Sequence, residues 1–492
     1  MSNKLQIALA PGDGIGPEIS RACMHILDAA GVLDKVEFNE IPMGHSVFAS
    51  GETRGMTDEA IEGIESTGIL YKGPMGTPIG SGGKSINVTL RKTFGAFANL
   101  RHFQSLPGVE TVYSRAGVPV DFYVVRENVE DTYGGIEHRL TPDSYSAKRL
   151  ITTPGCDQIN RFAFETAKSF GIEHVTCAHK ANIMKMTDGT FLDRFRFLSN
   201  DYPDIETEDV IIDALCMNLV LRPDRFKMIV LTNLQGDIVS DLAAGLVGGL
   251  GFAPSANIGD QISIFEAVHG TAPDIAGQDI ANPTSLLLSG LIMLRHIGLR
   301  RSAAEIENAL LYTLESGVHT GDVKGKGDPV GTTAFSHAVA RNLGKTPSTV
   351  AGNTDSVSDM ICHTPPTRPS VNEMMVTHEQ IHSQVVGCDI FLETKLTPLD
   401  LADRLKRLCE GTPFRLTVIS NRGTQVWPTG SPYTEIVDNC CARFELNTDI
   451  GVIGQGPTVH LLAKVAEKFA ITEFIPIKMY DGQRGYSLAQ GQ

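Results

Sequence analysis

Apolar positions in the first two-thirds of the chain alternate between continuous runs and helically spaced runs. Continuous runs predict buried strands at residues 5–10, 122–125 and 228–231. After Pro17, apolar residues recur at helical spacing until Gly31, a plausible stop signal. Residues 281–299 and 303–314 are predicted to form buried or amphipathic helices. This alternation predicts an α/β fold with a largely parallel or mixed sheet.

The pattern changes near residue 345. Residues 346–370 are rich in Pro, Ser, Thr and Asn, which predicts a linker. Beyond it, the pattern predicts further short strands and amphipathic helices, at 389–392, 399–408, 414–419 and 459–469. We therefore expect a separate, small α+β domain after the linker.

Composition narrows the function classes. The chain has 492 residues, which corresponds to about three domains. Its formal net charge of −15 and its lack of basic runs argue against nucleic acid and anionic membranes as partners. Nine scattered cysteines indicate reduced thiols inside a cell. The start of the chain does not resemble a targeting leader, and no apolar stretch is long enough to span a membrane, so we expect a cytoplasmic protein.

A glycine-rich turn follows the first predicted strand. Residues 12–17 read Gly-Asp-Gly-Ile-Gly-Pro, which differs from the GxGxxG pattern of dinucleotide-binding turns. Two interpretations remain open at this point. The turn either cradles a phosphate, or it is a tight strand-to-helix connection that needs residues tolerant of positive φ.

Arginines among small polar residues indicate an anion site. Arg91 lies six residues after Ser85, at helical spacing, and Arg101 follows. Arg126 stands at the end of a predicted buried strand, where ligand sites of α/β sheets gather. Arginine is well suited to bidentate carboxylate binding. The alternative is a set of surface arginines in ordinary ion pairs.

An acidic pair has the spacing of metal ligands. Asp237 and Asp241 are four residues apart on a predicted, mostly apolar helix, so both carboxylates share one face. Because like charges at this spacing disfavour a helix, a divalent hard cation is a natural partner. The alternative is a solvated acidic face.

Six motifs in order give the chain a close resemblance to the isocitrate dehydrogenases of the β-decarboxylating dehydrogenase family. They are PGDGIGPE (11–18), SINVTLR (85–91), VRENVEDTYGGIE (125–137), HKANIMKMTDG (179–189), NLQGDIVSD (233–241) and FEAVHGTAPDIAGQDIANP (265–283). The resemblance covers residues 1 to about 345, and it extends to the tail of a longer bacterial-type subgroup.

The resemblance implies a non-Rossmann, isocitrate/isopropylmalate dehydrogenase-like α/β fold. It places a large cofactor-binding domain at 1–97 and 248–345, a small domain at 98–130 and 153–247, and a clasp at 131–152. The linker then spans 346–370 and the α+β domain 371–492. The clasp implies a homodimer with shared active sites, or a higher oligomer. In this fold the glycine turn serves mainly as architecture.

The resemblance also assigns roles in the oxidative decarboxylation of isocitrate to 2-oxoglutarate and CO₂, a step of the tricarboxylic acid cycle. Lys180 of the neighbouring subunit would help remove the hydroxyl proton, and Tyr133 would return a proton to carbon. Mg²⁺ or Mn²⁺ would be held by Asp237, Asp241 and the neighbour's Asp213. The isocitrate carboxylates would be held by Ser85, Asn87, Arg91, Arg101 and Arg126.

One departure from the family pattern bears on the cofactor. Asp274 and Ile275 stand where NADP-using relatives place Lys-Tyr. A carboxylate there would repel the 2′-phosphate of NADP and accept hydrogen bonds from a free ribose hydroxyl. NAD is therefore the expected cofactor. The resemblance places its contacts at Thr77, Asn233, Glu266, His269, Gly270, Thr271, Ala272, Asp274, Ile275 and Asn282.

Three alternatives remain. The first is a related enzyme acting on 3-isopropylmalate, homoisocitrate or tartrate, although Ser85 and Asn87 favour the polar γ-carboxylate of isocitrate over an apolar group. The second is an isocitrate dehydrogenase that prefers NADP. The third is a non-catalytic regulatory subunit, which the presence of Lys180, Tyr133 and the three aspartates argues against.

Overall fold

The computed structural model describes residues 4–76, 85–353, 359–361, 363, 381–430, 433–447 and 454–488. The chain divides into two units. The first comprises Met1–Gly134 and Arg149–Met374, and the second comprises Gly135–Lys148 and Met375–Gln492. The finer boundaries between large domain, small domain and clasp stay a prediction.

The elements are numbered in chain order. The strands are β1 Leu5–Ala10, β2 Val36–Glu40, β3 Ile69–Lys72, β4 Ala98–Gln104, β5 Asp121–Glu127, β6 Glu137–Arg139, β7 Tyr145–Ala147, β8 His174–His179, β9 Glu206–Ile211, β10 Met228–Leu231, β11 Pro254–Ile258, β12 Ser263–Ala267, β13 Ser383–Glu393, β14 Phe414–Asn421, β15 Thr424–Trp427, β16 Asn439–Leu446, β17 Ala470–Tyr480 and β18 Gln483–Arg484. The helices are α1 Gly16–Ala29, α2 His45–Ala49, α3 Asp58–Thr67, α4 Ile86–Thr93, α5 Val112–Ala116, α6 Thr153–Phe170, α7 Thr187–Ser199, α8 Ile212–Leu221, α9 Asn233–Leu246, α10 Thr284–His296, α11 Arg300–Glu315, α12 Thr332–Arg341, α13 Pro398–Cys409 and α14 Gly456–Ala466.

The predicted α/β fold class is confirmed by a ten-stranded mixed sheet in the first unit. Its strand order is β2-β1-β3-β12-β11-β4-β5-β10-β8-β9. The outer strands run parallel to their neighbours, whereas β4 and β11 are antiparallel to the strands on both sides. In the register of the sheet, Lys72 lies opposite Glu266, and Asn99 lies opposite Arg126. Charged and amide side chains therefore gather on its central strands.

Apolar faces explain the layers around this sheet. Helix α1 buries Ile19, Cys23, Ile26 and Leu27, the helically spaced positions of the sequence, in one core cluster with β1, α10 and α11. Strands β5, β8 and β10 are buried on both faces, between one cluster that includes α6 and α7 and another that includes α8 and α9. Continuous apolar runs are what a strand covered on both faces requires.

The predicted small α+β domain is confirmed in the second unit. Its antiparallel sheet has the order β15-β14-β16-β13-β17-β18, and α13 and α14 contribute to its core. The chain order β13-α13-β14-β15-β16-α14-β17-β18 is a ferredoxin-like arrangement with two added strands, β15 and β18. The short β6–β7 hairpin belongs to this unit, since Thr141 Oγ1 donates to Asp438 at 2.6 Å and Lys148 pairs with Glu473 at 2.9 Å.

Within the described part of the chain, every helix is too short or too polar to cross a bilayer. A cytoplasmic location stays a prediction.

Candidate active site

Three buried arginines meet on the central strands of the first unit. Arg91 lies in the last turn of α4, Arg101 lies on β4, and Arg126 lies near the end of β5, each with a tenth or less of its surface exposed. Arg91 and Arg101 line a cavity of about 250 Å³ together with Asn87. Ser85 stands at the N-cap of the same helix, α4. The structure thus brings the predicted carboxylate-binding residues together at one place.

The arginines are only partly neutralised by the protein. Arg91 donates to Glu266 at 3.1 Å, and Arg101 donates to Asn99 at 2.8 Å. Burial, with the charges of Arg126 and Arg91, lowers the pKa of Arg101 to about 10. Among the described residues, Arg91 Nε, Arg101 Nη1 and Asn87 Oδ1 are buried without a hydrogen-bond partner. Asn87 Oδ1 is an acceptor, but the two arginine nitrogens are unpaired donors, which favour an anionic ligand with several acceptor oxygens.

Arg126 links the arginine group to α9. Its Nη2 donates to Asn233 Oδ1 at 2.8 Å, and its Nη1 pairs with Asp237. Tyr133 donates its hydroxyl proton to the other oxygen of Asp237 at 2.6 Å, and its ring lies under the Arg126 guanidinium. Gly236 makes this approach possible, because a Cβ there would lie 2.5 Å from Cγ of Arg126.

Asp237 and Asp241 lie one turn apart on α9, as predicted. Although burial alone would raise the pKa of Asp237, the charge of Arg126 and the bond from Tyr133 hold it below its ordinary value. The pKa of Asp241 is raised by burial and by the charge of Asp237. Two hard oxygen donors with one destabilised charge suit a divalent cation. Within the described residues, however, His, Cys, Asp and Glu side chains form no group of three around one point, so none of these residues adds a third acidic ligand to the pair.

Lys180 and Asp213 form a separate ion pair. Lys180 follows β8, Asp213 lies in the first turn of α8, and the ammonium contacts the carboxylate directly. Among the described residues, no hydrogen bond or ion pair joins these two side chains to Asp237 or Tyr133. The structure therefore places the predicted site residues of one chain in two groups.

The sequence motifs do not point to Lys72, which is fully buried and lines the same cavity. It pairs with Glu266 at 2.6 Å, and Asn257 donates to the same carboxylate at 2.7 Å. Although burial alone would raise the pKa of Glu266, Lys72 and Arg91 hold it well below its ordinary range. The available signal was a lysine at the end of an apolar strand, immediately before Gly-Pro.

The predicted cofactor residues lie on one side of this cavity and beyond it. Glu266, His269, Gly270 and Thr271 line it. His269 Nε2 is buried without a partner among the described residues, and burial lowers the pKa of this imidazole. Asn282 bonds Asp322 at 3.0 Å at a buried position near α10. The side-chain oxygen of Asn233 accepts a hydrogen bond from Arg126. Thr77 lies outside the described residues.

The glycine turn packs against this cofactor segment. Ile15 N donates to the carbonyl of Thr271 at 2.9 Å, and a Cβ on Gly14 would lie 2.0 Å from that oxygen. Gly14 also has φ of +59°. The contacts support the architectural interpretation of the turn over a phosphate cradle.

Comparison with known proteins covers the whole chain. Residues 6–339 match the isocitrate/isopropylmalate dehydrogenase family, and residues 383–492 match the bacterial isocitrate dehydrogenase C-terminal domain. The protein named isocitrate dehydrogenase [NADP] of Thermus thermophilus is 45% identical, covering 99% of this chain and 96% of its own. The protein of the same name from Rickettsia felis is 39% identical over both full lengths. A crystal structure of a Thermus thermophilus protein superposes with a TM-score of 0.90, at 44% identity over 99% of this chain and 96% of its own.

The prediction of NAD as cofactor is wrong, because these full-length relatives are named for NADP. The structure supplies a physical reason. Asp274 and Ile275 lie on the short 3-10 turn Pro273–Ile275, where the Asp274 side chain is exposed. Water screens an exposed charge, so one carboxylate there does not exclude a phosphate as a desolvated carboxylate would. The prediction of an NAD-dependent enzyme is therefore wrong as well.

Proposed function

The chain belongs to the isocitrate/isopropylmalate dehydrogenase family, and from this premise we propose that it is an NADP-dependent isocitrate dehydrogenase. The reaction is oxidative decarboxylation of isocitrate to 2-oxoglutarate and CO₂. The observation that carries the proposal is the convergence of Arg91, Arg101 and Arg126 next to the Tyr133–Asp237 pair. Three buried cations, two of which keep an unpaired donor, suit a tricarboxylate. The Tyr133 hydroxyl and the Asp237 carboxylate beside them suit proton transfer and metal binding.

Arg91, Arg101 and Arg126 would bind the carboxylates of the substrate. Arg91 and Arg101 turn unpaired donors into the cavity, and Ser85 and Asn87 at the start of α4 add polar groups for the γ-carboxylate. An apolar isopropyl group would place hydrocarbon against the polar side chain of Asn87, at a cost in binding. Isocitrate is therefore favoured over 3-isopropylmalate.

Asp237 and Asp241 would hold Mg²⁺ or Mn²⁺, with Asp213 of the partner subunit completing the set. When bound, such an ion supplies Lewis-acid polarisation of the substrate's hydroxyl and carboxylate oxygens. The geometry of α9 supports this role, because its carboxylates stand beside the arginines that would hold the same substrate.

Two side chains would move protons. Lys180 takes the proton of the 2-hydroxyl while a hydride leaves C2 for the nicotinamide. The bond to the β-carboxylate then breaks, its electron pair stays on carbon, and Tyr133 supplies the proton there. Burial and the hydrogen bond to Asp237 raise the pKa of Tyr133, so its hydroxyl stays protonated at neutral pH and is ready to donate.

NADP would lie along the 266–275 segment, with Glu266 and His269 toward the nicotinamide and Asn282 toward the adenine. On α12, Thr333 and His337 are exposed and are candidates for the 2′-phosphate.

A second copy of the chain would complete the site. Helices α8 and α9 expose large apolar side chains, among them Met217 at 55%, Leu221 at 65% and Ile238 at 59%. Exposed apolar patches of this kind mark association surfaces. We propose a homodimer in which these helices meet and Lys180 serves the partner's site.

The purified chain tests this proposal with isocitrate, Mg²⁺ or Mn²⁺, and either cofactor, by following nicotinamide reduction. We expect kcat/KM with NADP to exceed that with NAD by at least about tenfold, or about 1.4 kcal/mol. 3-Isopropylmalate should give little turnover. A preference for NAD contradicts the cofactor assignment, and failure to oxidise isocitrate contradicts the proposal as a whole, in favour of a regulatory subunit.

A further inference from the structure

Arg149 forms a network of ion pairs and hydrogen bonds in the first unit. Its guanidinium contacts two carboxylates that are fully buried, those of Asp131 and Asp188. Nε donates to Asp131 at 2.6 Å, while Nη1 pairs with Asp188 and donates to Thr187 at 3.0 Å. Nη2 donates to Thr232 at 3.1 Å. The rigid fork of a guanidinium can hold this many partners at once, and a lysine cannot.

The first carboxylate joins the Tyr133 loop to α9. Asp131 lies two residues before Tyr133 and accepts from the amide of Thr132 at 2.8 Å and from that of Leu234 at 3.0 Å. Its φ of +66° is in the left-handed region, which is strained for a residue other than glycine. Such a conformation persists only where surrounding contacts hold it, and the ion pair with Arg149 is one of these contacts.

The second carboxylate joins the Lys180 turn to the same helix. Asp188 accepts from the backbone amide of Lys180 at 2.6 Å and from the side-chain amide of Gln235 at 2.7 Å. Gln235 lies in the first turn of α9, between Asn233 and Asp237. Through the carboxylate of Asp188, Arg149 is therefore linked to the Lys180 turn and to the start of the helix that carries the acidic pair.

We propose that Arg149 is a positioning residue, which holds the segments of Tyr133, Lys180 and Asp237 in one fixed arrangement. This inference rests on the proposed function, since it concerns the same reaction. Proton transfer requires donors and acceptors placed within about 0.5 Å of the productive geometry. A displacement of about 1 Å costs on the order of 100-fold in rate.

The test compares Arg149→Lys and Arg149→Ala with the wild-type chain. We expect kcat to fall by about 10- to 100-fold, with KM for isocitrate within about threefold. The reason is that, among the described residues, Arg91 and Arg101 bond Glu266 and Asn99 and not the network. Added methylguanidinium should restore part of the kcat of Arg149→Ala, because it supplies the guanidinium group that the substitution removes. A purely structural role would lower the amount of folded enzyme without this split or this rescue.

Partial reactions sharpen the test. Supplied with oxalosuccinate, the β-keto acid intermediate, the enzyme can reduce it with NADPH or decarboxylate it. Lys180 serves the first reaction and Tyr133 the second, so Arg149→Lys should slow both by similar factors. A large loss in one reaction with the other unchanged overturns the inference that one residue positions both groups.

Two further variants keep the result interpretable. Arg194→Met, on α7, removes an arginine that pairs with Asp157 at 2.5 and 2.9 Å, and we expect kcat within about twofold of wild type. If Arg149→Ala does not fold, Thr232→Val removes one bond of the network at little steric cost and should lower kcat several-fold.

Wild-type kcat in Arg149→Lys and Thr232→Val overturns the positioning role. Lack of isocitrate turnover by the wild-type chain instead contradicts the proposed function.

Discussion

Arg101 carries a buried positive charge in the proposed substrate site. It is almost fully buried, its carboxylate neighbours are shared with Arg91 and Arg126, and its pKa is lowered to about 10. A shift of this size corresponds to about 3 kcal/mol of unfavourable environment for the cation. An anionic ligand relieves that cost on binding, so part of the affinity for a carboxylate comes from instability of the empty site.

We predict that Arg101→Met raises the free energy of unfolding of the unliganded protein by about 1 to 2 kcal/mol, because it removes a poorly paired buried charge. The same change should abolish the rise in melting temperature that isocitrate and Mg²⁺ give the wild type. Calorimetry with and without ligand measures both effects. A variant that is less stable when empty but still stabilised by isocitrate would contradict the assignment.

Glu127 carries a buried carboxyl group that destabilises the folded state at neutral pH. It follows Arg126 at the end of β5, and its oxygens accept from the amides of Val129 and Glu130. Burial raises its pKa to about 7, in spite of these hydrogen bonds. The folded state therefore keeps the proton up to a higher pH than the unfolded state, where the pKa is near 4.5.

Because the folded state binds this proton more tightly, the contribution of Glu127 to stability falls as pH rises from about 4.5 through 7, by about 3 kcal/mol in total. Glu127→Gln should remove that loss. Denaturant unfolding at pH 5.5 and pH 8 should show a smaller difference for the variant than for wild type. Glu59→Gln, at an exposed position on α3, is the control and should not change the difference.

At the scale of elements, α9 organises the site. It carries Asn233, Gly236, Asp237 and Asp241, and its buried side packs in the core with β5 and β10. Helical spacing puts the two carboxylates on one side, while Gly236 lets Arg126 of the adjacent strand pass close to the backbone. The packing of one helix on one strand therefore brings the acidic pair to the arginines.

Gly236→Ala should raise KM for isocitrate by at least about tenfold, because the new methyl group displaces Arg126 from Asn233 and Asp237. The matched control is Gly245→Ala on the same helix, where an added Cβ meets open space. It should keep KM and raise helix stability by up to about 1 kcal/mol. Steady-state kinetics, with oligomeric state checked by light scattering, measure the contrast. Equal KM values in the two variants would contradict the packing argument.

At the scale of the whole molecule, the two groups of site residues are the informative feature. Tyr133 and Asp237 contact each other, whereas Lys180 contacts Asp213. The proposed homodimer, in which each subunit contributes Lys180 to the site of its partner, would bring the two groups together. A second feature at this scale is that the β6–β7 hairpin belongs to the same unit as the C-terminal domain, which it contacts at Asp438 and Glu473.

Hybrid dimers test the sharing. Lys180→Met and Asp241→Asn should each be nearly inactive alone. In a coexpressed equal mixture, half of the dimers are hybrids with one intact site, so activity should recover to about a quarter of wild type. If each chain used its own Lys180, hybrids would have no intact site and the mixture would stay inactive.

Most of the architecture could be predicted from the sequence, because local periodicity reports which faces are buried. The strands at 5–10 and 228–231 were predicted at their observed bounds, and the helix at 281–299 was predicted a few residues too long at each end. Helix ends depend on capping contacts that apolar spacing does not report. Antiparallel placement of β4 and β11 had no local signal.

The candidate site, like the fold, could be predicted from the sequence only in part. The sequence by itself determined the candidate arginines, the acidic pair and the family, since ordered motifs and helical spacing are local properties. Only the tertiary structure decided which of these groups meet. It paired Lys72 with Glu266, made Arg149 the bridge between Asp131 and Asp188, and exposed Asp274 to solvent. Burial and contacts between distant residues set how strongly a charge acts, and neither can be read from spacing along the chain.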